Sequence, residues 1–250
     1  MDKRIAVVTG ATGGIGLEVC KMLGKEGYYV VVNGIDKKQA KSAMHELANL
    51  GIEAELKMFD VTKEEEVDKG IKEVGEKFGR IDVLINNAGG LGGRSRFEDM
   101  KTSFYRSVMA LNVDSAFFAS RAAIPYLKKS KDASIIIYST NAAWNAGGPG
   151  AGIYGTSKAA VTTLARALAK DLSEYGIRVN GVSPGTIDTP FHDGIRLTKP
   201  EVFATWKNNI LMKRLGKPEE VAAVVSFLIS DKASFLTGEI VQVNGGQDFL

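Results

Sequence analysis

Short runs of β-branched and apolar residues alternate along the chain with longer segments of helical periodicity. Seven such runs lie at residues 4–9, 28–33, 53–59, 82–87, 134–139, 177–183 and 239–244. Between them, apolar residues recur at the three- and four-residue spacing of an amphipathic helix. Runs that are apolar nearly throughout are typical of parallel strands that helices cover on both faces. The pattern therefore predicts an α/β fold, a doubly wound parallel sheet of seven strands with helices on both faces.

Glycine residues end several of the predicted helices, as expected for left-handed C-caps: Gly27, Gly51, Gly79 and Gly176. One segment, at about residues 190–215, shows no strand pattern but contains Phe191, Phe203 and Trp206. A segment of this length in a compact domain is typical of a lid or binding loop. We therefore expect a single domain over residues 1–250, with short helices at about 190–215 acting as a substrate lid.

Composition and charge exclude several classes of function. The chain has 250 residues, 44% of them hydrophobic and 24% charged, with a net charge of +3 and interleaved signs. Without a basic stripe, neither nucleic acid nor a membrane surface is expected as a partner. The apolar run near the start is too short for a signal peptide or a membrane span, so we expect a cytoplasmic protein. A lone Cys20 and two distant histidines, His45 and His192, predict no disulfide and no metal site.

The stretch TGATGGIG at residues 9–16 places Gly10, Gly14 and Gly16 between the first strand and the first helix. Such a turn lets backbone N–H groups approach a pyrophosphate, and the helix N-terminus adds partial positive charge. The position of the motif after the first strand of an alternating chain predicts a dinucleotide-binding turn.

The glycine spacing, T-G-x-x-x-G-x-G, resembles that of the short-chain dehydrogenases/reductases (SDRs) in their single-domain form. Further motifs carry the resemblance over essentially the whole length: DV at 60–61, NNAG at 86–89, LNV at 111–113, YGTSK at 154–158, SPG at 183–185 and RLGKPEEVA at 214–222. The resemblance implies a Rossmann-type fold, an NAD(P) cofactor and reversible hydride transfer between a secondary alcohol and a ketone. It also implies a homotetramer, with the last strand and tail packing across an interface.

Tyr154 and Lys158 are four residues apart in a predicted helix, so both side chains lie on one face. A cation near a phenol lowers its pKa, and a neutral-pH proton relay needs such a shift. By resemblance, Tyr154 relays the proton, and Lys158 lowers its pKa and holds the ribose. The substrate-orienting hydroxyl falls on Thr140 or Ser139, with Thr140 favoured. Asn112 resembles the residue that kinks a helix and completes a water-mediated proton path.

The resemblance also implies a set of cofactor contacts, which follow the strand ends. They are Gly10, Thr12, Gly13, Gly14, Ile15 and Gly16 in the first turn, Gly34 and Ile35 after the second strand, Asp60 and Val61 at the adenine, Asn87, Ala88 and Gly89 along the ribose, and Pro184, Gly185, Ile187 and Thr189 at the nicotinamide, with Tyr154 and Lys158.

The choice between NAD and NADP depends on the end of the second strand. An acidic residue there would bind the ribose 2′-hydroxyl and select NAD, but Gly34 takes that place. Asp36 reaches the ribose only if the loop turns back, and Lys37 and Lys38 are the nearest basic residues. The missing acid favours NADP(H) slightly and leaves NAD open.

The substrate is the least constrained expectation. Trp144, Asn145 and Phe191 are predicted to line the substrate pocket, and the lid mixes aromatic with basic residues. A 3-oxoacyl (ACP or CoA) reductase ranks first, with a polyol, sugar or hydroxysteroid dehydrogenase as the alternative. A non-catalytic nucleotide-sensing protein is a minor alternative, against which the intact Tyr154–Lys158 pair counts. A nucleotide-sugar epimerase is disfavoured by the short segment after Pro184.

Overall fold

The computed structural model describes residues 3–249; Met1, Asp2 and Leu250, which belong to the predicted 1–250 domain, lie outside the described residues. Its centre is a seven-stranded sheet with every pairing parallel, in the order β3-β2-β1-β4-β5-β6-β7. The strands are β1 Ile5–Val8, β2 Tyr29–Gly34, β3 Ala54–Met58, β4 Val83–Asn86, β5 Ser134–Tyr138, β6 Arg178–Pro184 and β7 Ile240–Val243. Each coincides with a predicted run, so the predicted seven-stranded parallel sheet is confirmed.

Helices connect the strands. They are α1 Gly14–Lys25, α2 Lys37–Asn49, α3 Glu64–Phe78, α4 Thr102–Met109, α5 Ser115–Leu127, α6 Ala142–Asn145, α7 Gly152–Leu172, α8 Asp193–Thr198, α9 Pro200–Asn209 and α10 Pro218–Ile229. A π-helical turn, Ala110–Asp114, joins α4 to α5. The four glycines predicted to end helices all have positive φ, between 69° and 90°, which is the conformation glycine adopts without steric cost.

Two apolar clusters, one on each face of the sheet, form the core. Along β5, Ile135 and Ile137 pack with α3, α5 and α7, whereas Ile136 and Tyr138 pack with α1 and α10. Successive residues of a strand point to opposite faces, so an uninterrupted apolar strand feeds both clusters. Helices on both faces confirm the doubly wound, Rossmann-type architecture.

The strand order reverses beside β1. The chain moves from β1 outwards to β2 and β3, then returns to β4 on the other side of β1. In open α/β sheets, ligands bind outside the carboxyl ends of the strands at this switch point. The glycine turn follows β1 and the NNAG motif ends β4, so the topology brings both motifs to one crevice.

Candidate active site

A cavity of about 1320 Å³ lies at the carboxyl ends of the strands. It exceeds the volume of a typical drug-sized pocket, so a dinucleotide and a small substrate fit together. Every residue predicted to contact the cofactor lines this cavity: Gly10, Thr12, Gly13, Gly14, Ile15, Gly16, Gly34, Ile35, Asp60, Val61, Asn87, Ala88, Gly89, Tyr154, Lys158, Pro184, Gly185, Ile187 and Thr189.

The glycine turn has the shape that a pyrophosphate requires. Gly10 and Gly14 have φ of 60° and 53°. A Cβ on Gly10 would lie 2.9 Å from the Ala88 Cα, and one on Gly16 would lie 2.5 Å from the Asn87 Nδ2. Helix α1 starts without a side-chain cap, because Gly13 has none to offer. The N-terminus of α1 thus presents backbone N–H groups for an anion, and the cradle fits a dinucleotide.

Two asparagine side chains hold this turn in place. The Asn33 Oδ1 accepts a hydrogen bond from the Gly10 N–H (3.1 Å), and its Nδ2 donates to the Phe59 carbonyl (3.0 Å). The Asn87 Nδ2 donates to the Thr9 and Gly10 carbonyls, both at 2.9 Å. Sequence analysis missed Asn33, although a buried amide in an apolar strand signals a specific set of partners.

At the end of β2, the loop does turn back towards the cavity. Asp36 caps α2 by accepting from the Gln39 N–H at 2.7 Å, and both residues line the cavity, whereas Lys37 and Lys38 do not. A Cβ on Gly34 would lie 2.3 Å from the Thr12 Cγ2. The Thr12 side chain therefore takes the space that an acidic residue at position 34 would need.

Helix α7 brings Tyr154 and Lys158 to the cavity wall on one face, as predicted. Tyr154 is half-buried, and its hydroxyl is hydrogen-bonded to Thr140. Lys158 is 4% exposed, and its Nζ donates to the Tyr138 carbonyl at 2.9 Å. The Lys158 Nζ lies 6.0 Å from the centroid of the Tyr154 ring. The pair is thus oriented towards the cleft rather than into the core.

The structure does not show the expected lowering of the Tyr154 pKa. Burial raises the pKa of Tyr154 to about 12, and the hydrogen bond between Tyr154 and Thr140 offsets only part of this rise. Burial lowers the pKa of Lys158 to about 8. Desolvation outweighs attraction here, because the ammonium group is bonded to a backbone carbonyl rather than to the phenol.

The two candidate hydroxyls after β5 point in different directions. The Ser139 Oγ lies 2.7 Å from the Thr162 Oγ1, which in turn donates to the Lys158 carbonyl at 2.9 Å. A hydroxyl has one proton to donate. Because Thr162 donates its proton to the Lys158 carbonyl, Ser139 is the donor in its hydrogen bond with Thr162. Thr140 instead contacts Tyr154, and its Oγ1 also donates a long hydrogen bond of 3.5 Å to the Pro184 carbonyl. Of the two residues, the structure brings Thr140 to the phenol.

Asn112 lies in the π-helical turn and is buried behind the cavity wall. Its Nδ2 donates to the Gly90 and Val108 carbonyls at 2.9 Å, and its Oδ1 accepts from the Gly90 N–H at 3.0 Å. A Cβ on Gly89 would lie 2.8 Å from both the Asn112 Oδ1 and the Lys158 Nζ. Asn112 therefore sits beside Lys158, and its part in a proton path stays a prediction.

The substrate end of the cavity differs in part from the expectation. Asn145 and Phe191 line it, but Trp144 does not; its side chain is 39% exposed on α6. A helix of four residues directs consecutive side chains about 100° apart, so only one of this pair faces the cavity. Arg94 and Gln247 are among several further lining residues that the sequence motifs do not indicate. Arg94 lies in the glycine-rich loop after β4. The high glycine content of this loop is the sequence feature that could have indicated a place in the site.

The predicted lid segment folds into α8 and α9. Phe191, His192, Phe203 and Trp206 form an aromatic cluster with ring centroids 4.9–6.2 Å apart. Phe191, His192 and Trp206 line the cavity. Burial lowers the pKa of His192, so the imidazole is neutral at pH 7.

The described part of the chain shows no second centre of reactivity. Among residues 3–249, no group of three or more His, Cys, Asp or Glu side chains is arranged to hold a metal ion. Cys20 is buried, which raises the pKa of its thiol far above the ordinary value. No helix within those residues is long and apolar enough to span a bilayer.

Known proteins resemble this chain over nearly its whole length. A family profile described as enoyl-(acyl carrier protein) reductase matches residues 10–248. The chain is 33% identical over 246 residues to a 3-oxoacyl-[acyl-carrier-protein] reductase of Thermotoga maritima, covering 98% of both chains. It is 36% identical over 247 residues to the 7α-hydroxysteroid dehydrogenase of Escherichia coli strain K12, covering 98% of this chain and 94% of that one.

A solved structure of an actinorhodin polyketide ketoreductase variant with NADPH superimposes with a TM-score of 0.92 at 30% identity, covering 98% of this chain and 97% of the other. The fold, the residues that line the cleft and the sequence comparisons therefore all indicate the same protein family. The chain belongs to the short-chain dehydrogenase/reductase family and is an NAD(P)-dependent oxidoreductase acting on alcohol and keto groups.

Proposed function

We propose that this enzyme transfers a hydride reversibly between a nicotinamide and a ketone or secondary alcohol, with Tyr154 as the proton relay. The observation that carries the proposal is the arrangement of Thr140, Tyr154 and Lys158 on one wall of the cavity. The dinucleotide, when bound, supplies or accepts the hydride. Tyr154 gives its phenolic proton to the carbonyl oxygen during reduction, and the Thr140 hydroxyl orients that oxygen by a hydrogen bond.

Lys158 is proposed to act through its charge. With a pKa of about 8, the amine is protonated at pH 7. One of its three N–H donors is bonded to the Tyr138 carbonyl, which leaves two for a ribose hydroxyl or a water. The positive charge one helical turn away stabilises the phenolate that remains after Tyr154 loses its proton.

The proposed orienting role of Thr140 is testable against Ser139. Thr140→Val should lower kcat/KM by about 100-fold, since a hydrogen bond to the reacting oxygen is lost. Ser139→Ala should keep most of the activity and lower the free energy of unfolding by about 1 kcal/mol, because a buried hydrogen bond is removed. Steady-state kinetics and urea unfolding of both variants give the answer. The reverse ranking of activities would transfer the role to Ser139.

For the substrate, we rank a 3-oxoacyl thioester first, supported by the Thermotoga maritima relative. A polyol, sugar or hydroxysteroid is the alternative, and the Escherichia coli relative supports the steroid. The test follows the absorbance of the reduced nicotinamide with acetoacetyl-CoA, a sugar alcohol and a 7α-hydroxysteroid. Turnover of acetoacetyl-CoA with the highest kcat/KM is expected. No turnover of any ketone or alcohol would reject the proposed reaction.

We propose NADP(H) as the cofactor by a slight preference, because position 34 carries no acidic side chain to repel a 2′-phosphate; Asp36 lines the cavity while Lys37 and Lys38 do not, which supports NAD as the alternative. The residue that would reverse this preference is Asp36, which lines the same end of the cavity. Comparing kcat/KM for NADPH and NADH tests the choice. A preference for NADH would overturn it and point to Asp36 as the ribose ligand.

We also propose a homotetramer in the cytoplasm. The tetramer follows from the family resemblance, in which the last strand and the C-terminal tail pack across an interface. The cytoplasmic location is a prediction from the apolar run near the start, which is too short for a signal peptide or a membrane span, and fractionation of the native host would test it.

A further inference from the structure

Arg94 lies at the mouth of the cavity, against the segment that leads into α7. Its Nη1 donates to the Pro149 carbonyl at 2.9 Å, and the N–H of Ser95 donates to the Gly150 carbonyl at 3.0 Å. Helix α7 begins two residues later and carries Tyr154 in its first turn. The loop after β4 is thereby tied to the element that positions the proposed proton relay.

The guanidinium of Arg94 is exposed and makes no ion pair among the described residues. The exposed Arg121 and Arg214 are bonded to carboxylates, whereas Arg96, Arg106 and Arg166 are exposed without an ion pair among the described residues; Arg94 differs from these three in lining the cavity. A guanidinium has five N–H donors in a planar fork that matches a carboxylate or phosphate. One donor is bonded to Pro149, so the remaining ones are available to a ligand in the cavity.

Acidic and basic side chains line opposite ends of the cavity. The acidic lining residues, Asp36 and Asp60, stand after β2 and β3, at the end expected to receive the adenosine. The cationic lining residues, Arg94, Lys158 and Lys199, belong to segments after β4, on α7 and beside α8. The half of the cavity that holds Tyr154 is therefore positively charged, which favours an anionic ligand.

We propose that Arg94 is a specificity-determining residue that binds an anionic group, a carboxylate or a phosphate, of the ketone substrate. The inference rests on the proposed function, because it assigns the open half of the cavity to the substrate. The anion is either a carboxylate on the keto compound itself or a phosphate of the carrier attached to a 3-oxoacyl thioester. Both take the same bidentate hydrogen bonds from a guanidinium.

Two matched substrate pairs separate these sources. Acetoacetate against methyl acetoacetate isolates a carboxylate, and acetoacetyl-CoA against acetoacetyl-N-acetylcysteamine isolates the carrier phosphates. Arg94→Gln should raise KM for the anionic member of at least one pair by about 10-fold, the loss expected for one charge-assisted hydrogen bond. KM for the neutral members should change less than twofold. Arg94→Lys should recover part of the loss, because it restores charge without the fork.

Arg96→Gln is the matched control, since Arg96 is an exposed arginine of the same loop that does not line the cavity. Calorimetric titration of the cofactor-loaded protein with the same four compounds reports binding apart from turnover. Binding that depends on Arg94 without turnover would keep the anion site and reject the proposed reaction. Turnover with equal effects of Arg94→Gln on anionic and neutral members, or no effect on either, would reject the anion site and keep the reaction. Wild-type protein that binds no anionic member would also reject the anion site.

Discussion

At the scale of single residues, Tyr154 carries the chemistry. Tyr154→Phe should lower kcat by about 1000-fold or more, since it removes the proposed proton relay and little else. The affinity for the dinucleotide, measured by fluorescence titration, should change less than twofold. Tyr175→Phe is the control, because Tyr175 is exposed beyond the far end of α7. Normal turnover of Tyr154→Phe would remove the assignment.

The pKa of Tyr154 determines whether its side chain acts as an acid or as a base at neutral pH. Burial raises this pKa to about 12, so the phenol is protonated throughout the neutral range and suits an acid rather than a base. The difference between ultraviolet titrations of the wild type and Tyr154→Phe should therefore show no Tyr154 ionisation below pH 10. Oxidation of an alcohol, which needs the phenolate, should become faster as the pH rises, and reduction should not.

Lys158 is predicted to reduce stability while it serves function. Its folded-state pKa of about 8 lies below the ordinary 10.5, a difference of about 3 kcal/mol in favour of the neutral form. Below pH 8 the folded protein carries the full cost of the buried cation. Between pH 8 and 10.5 the unfolded state binds the proton that the folded state has released, so the cost is relieved as the pH rises.

Lys158→Met should therefore inactivate the enzyme yet raise the free energy of unfolding at pH 7, by up to about 3 kcal/mol. Most of this gain should be lost by pH 10. Urea unfolding at both pH values measures it, with Lys170→Met, an exposed lysine of the same helix, as the control. A gain of equal size at the two pH values would contradict the burial cost.

At the scale of elements, the glycine turn and the end of β2 act as one unit. Because the Thr12 Cγ2 occupies the space of a side chain at position 34, Gly34→Asp alone should weaken both NADH and NADPH. Thr12→Ala with Gly34→Asp removes the collision and should shift the kcat/KM ratio towards NADH by about 10-fold or more. Thr12→Ala alone is the control. A shift towards NADH in Gly34→Asp alone, with unchanged affinity, would show that the collision is not real.

At the scale of the whole molecule, the prediction concerns the oligomeric state. Light scattering after size exclusion should give about four times the chain mass of 26.8 kDa, as the family resemblance implies for a closed symmetric oligomer. Phe235→Ser, at a side chain with full exposure in the chain alone, should lower that mass if Phe235 lies in an interface. A mass of one chain for the wild type would contradict the tetramer.

The sequence determined most of the fold because each strand and cap is a local signal. Apolar runs marked all seven strands, and Gly27, Gly51, Gly79 and Gly176 marked helix ends by a conformation that glycine alone adopts cheaply. The cofactor residues were predictable because their motifs follow strand ends, and parallel strands end at one edge. The helical spacing of Tyr154 and Lys158 likewise needed no coordinates.

Tertiary structure decided what depends on residues far apart in the chain. The Ser139 hydroxyl is hydrogen-bonded to Thr162 in the interior, and Thr140 is the residue that contacts Tyr154. The sequence alone does not show which of two adjacent hydroxyl residues faces the phenol. Burial, set by the packing of whole helices, raised the pKa of Tyr154 where helical spacing alone predicted the opposite. Arg94 became a lining residue only because its loop bonds to the segment before α7. Spacing along a chain specifies neighbours on one element, whereas desolvation and orientation come from the elements packed against it.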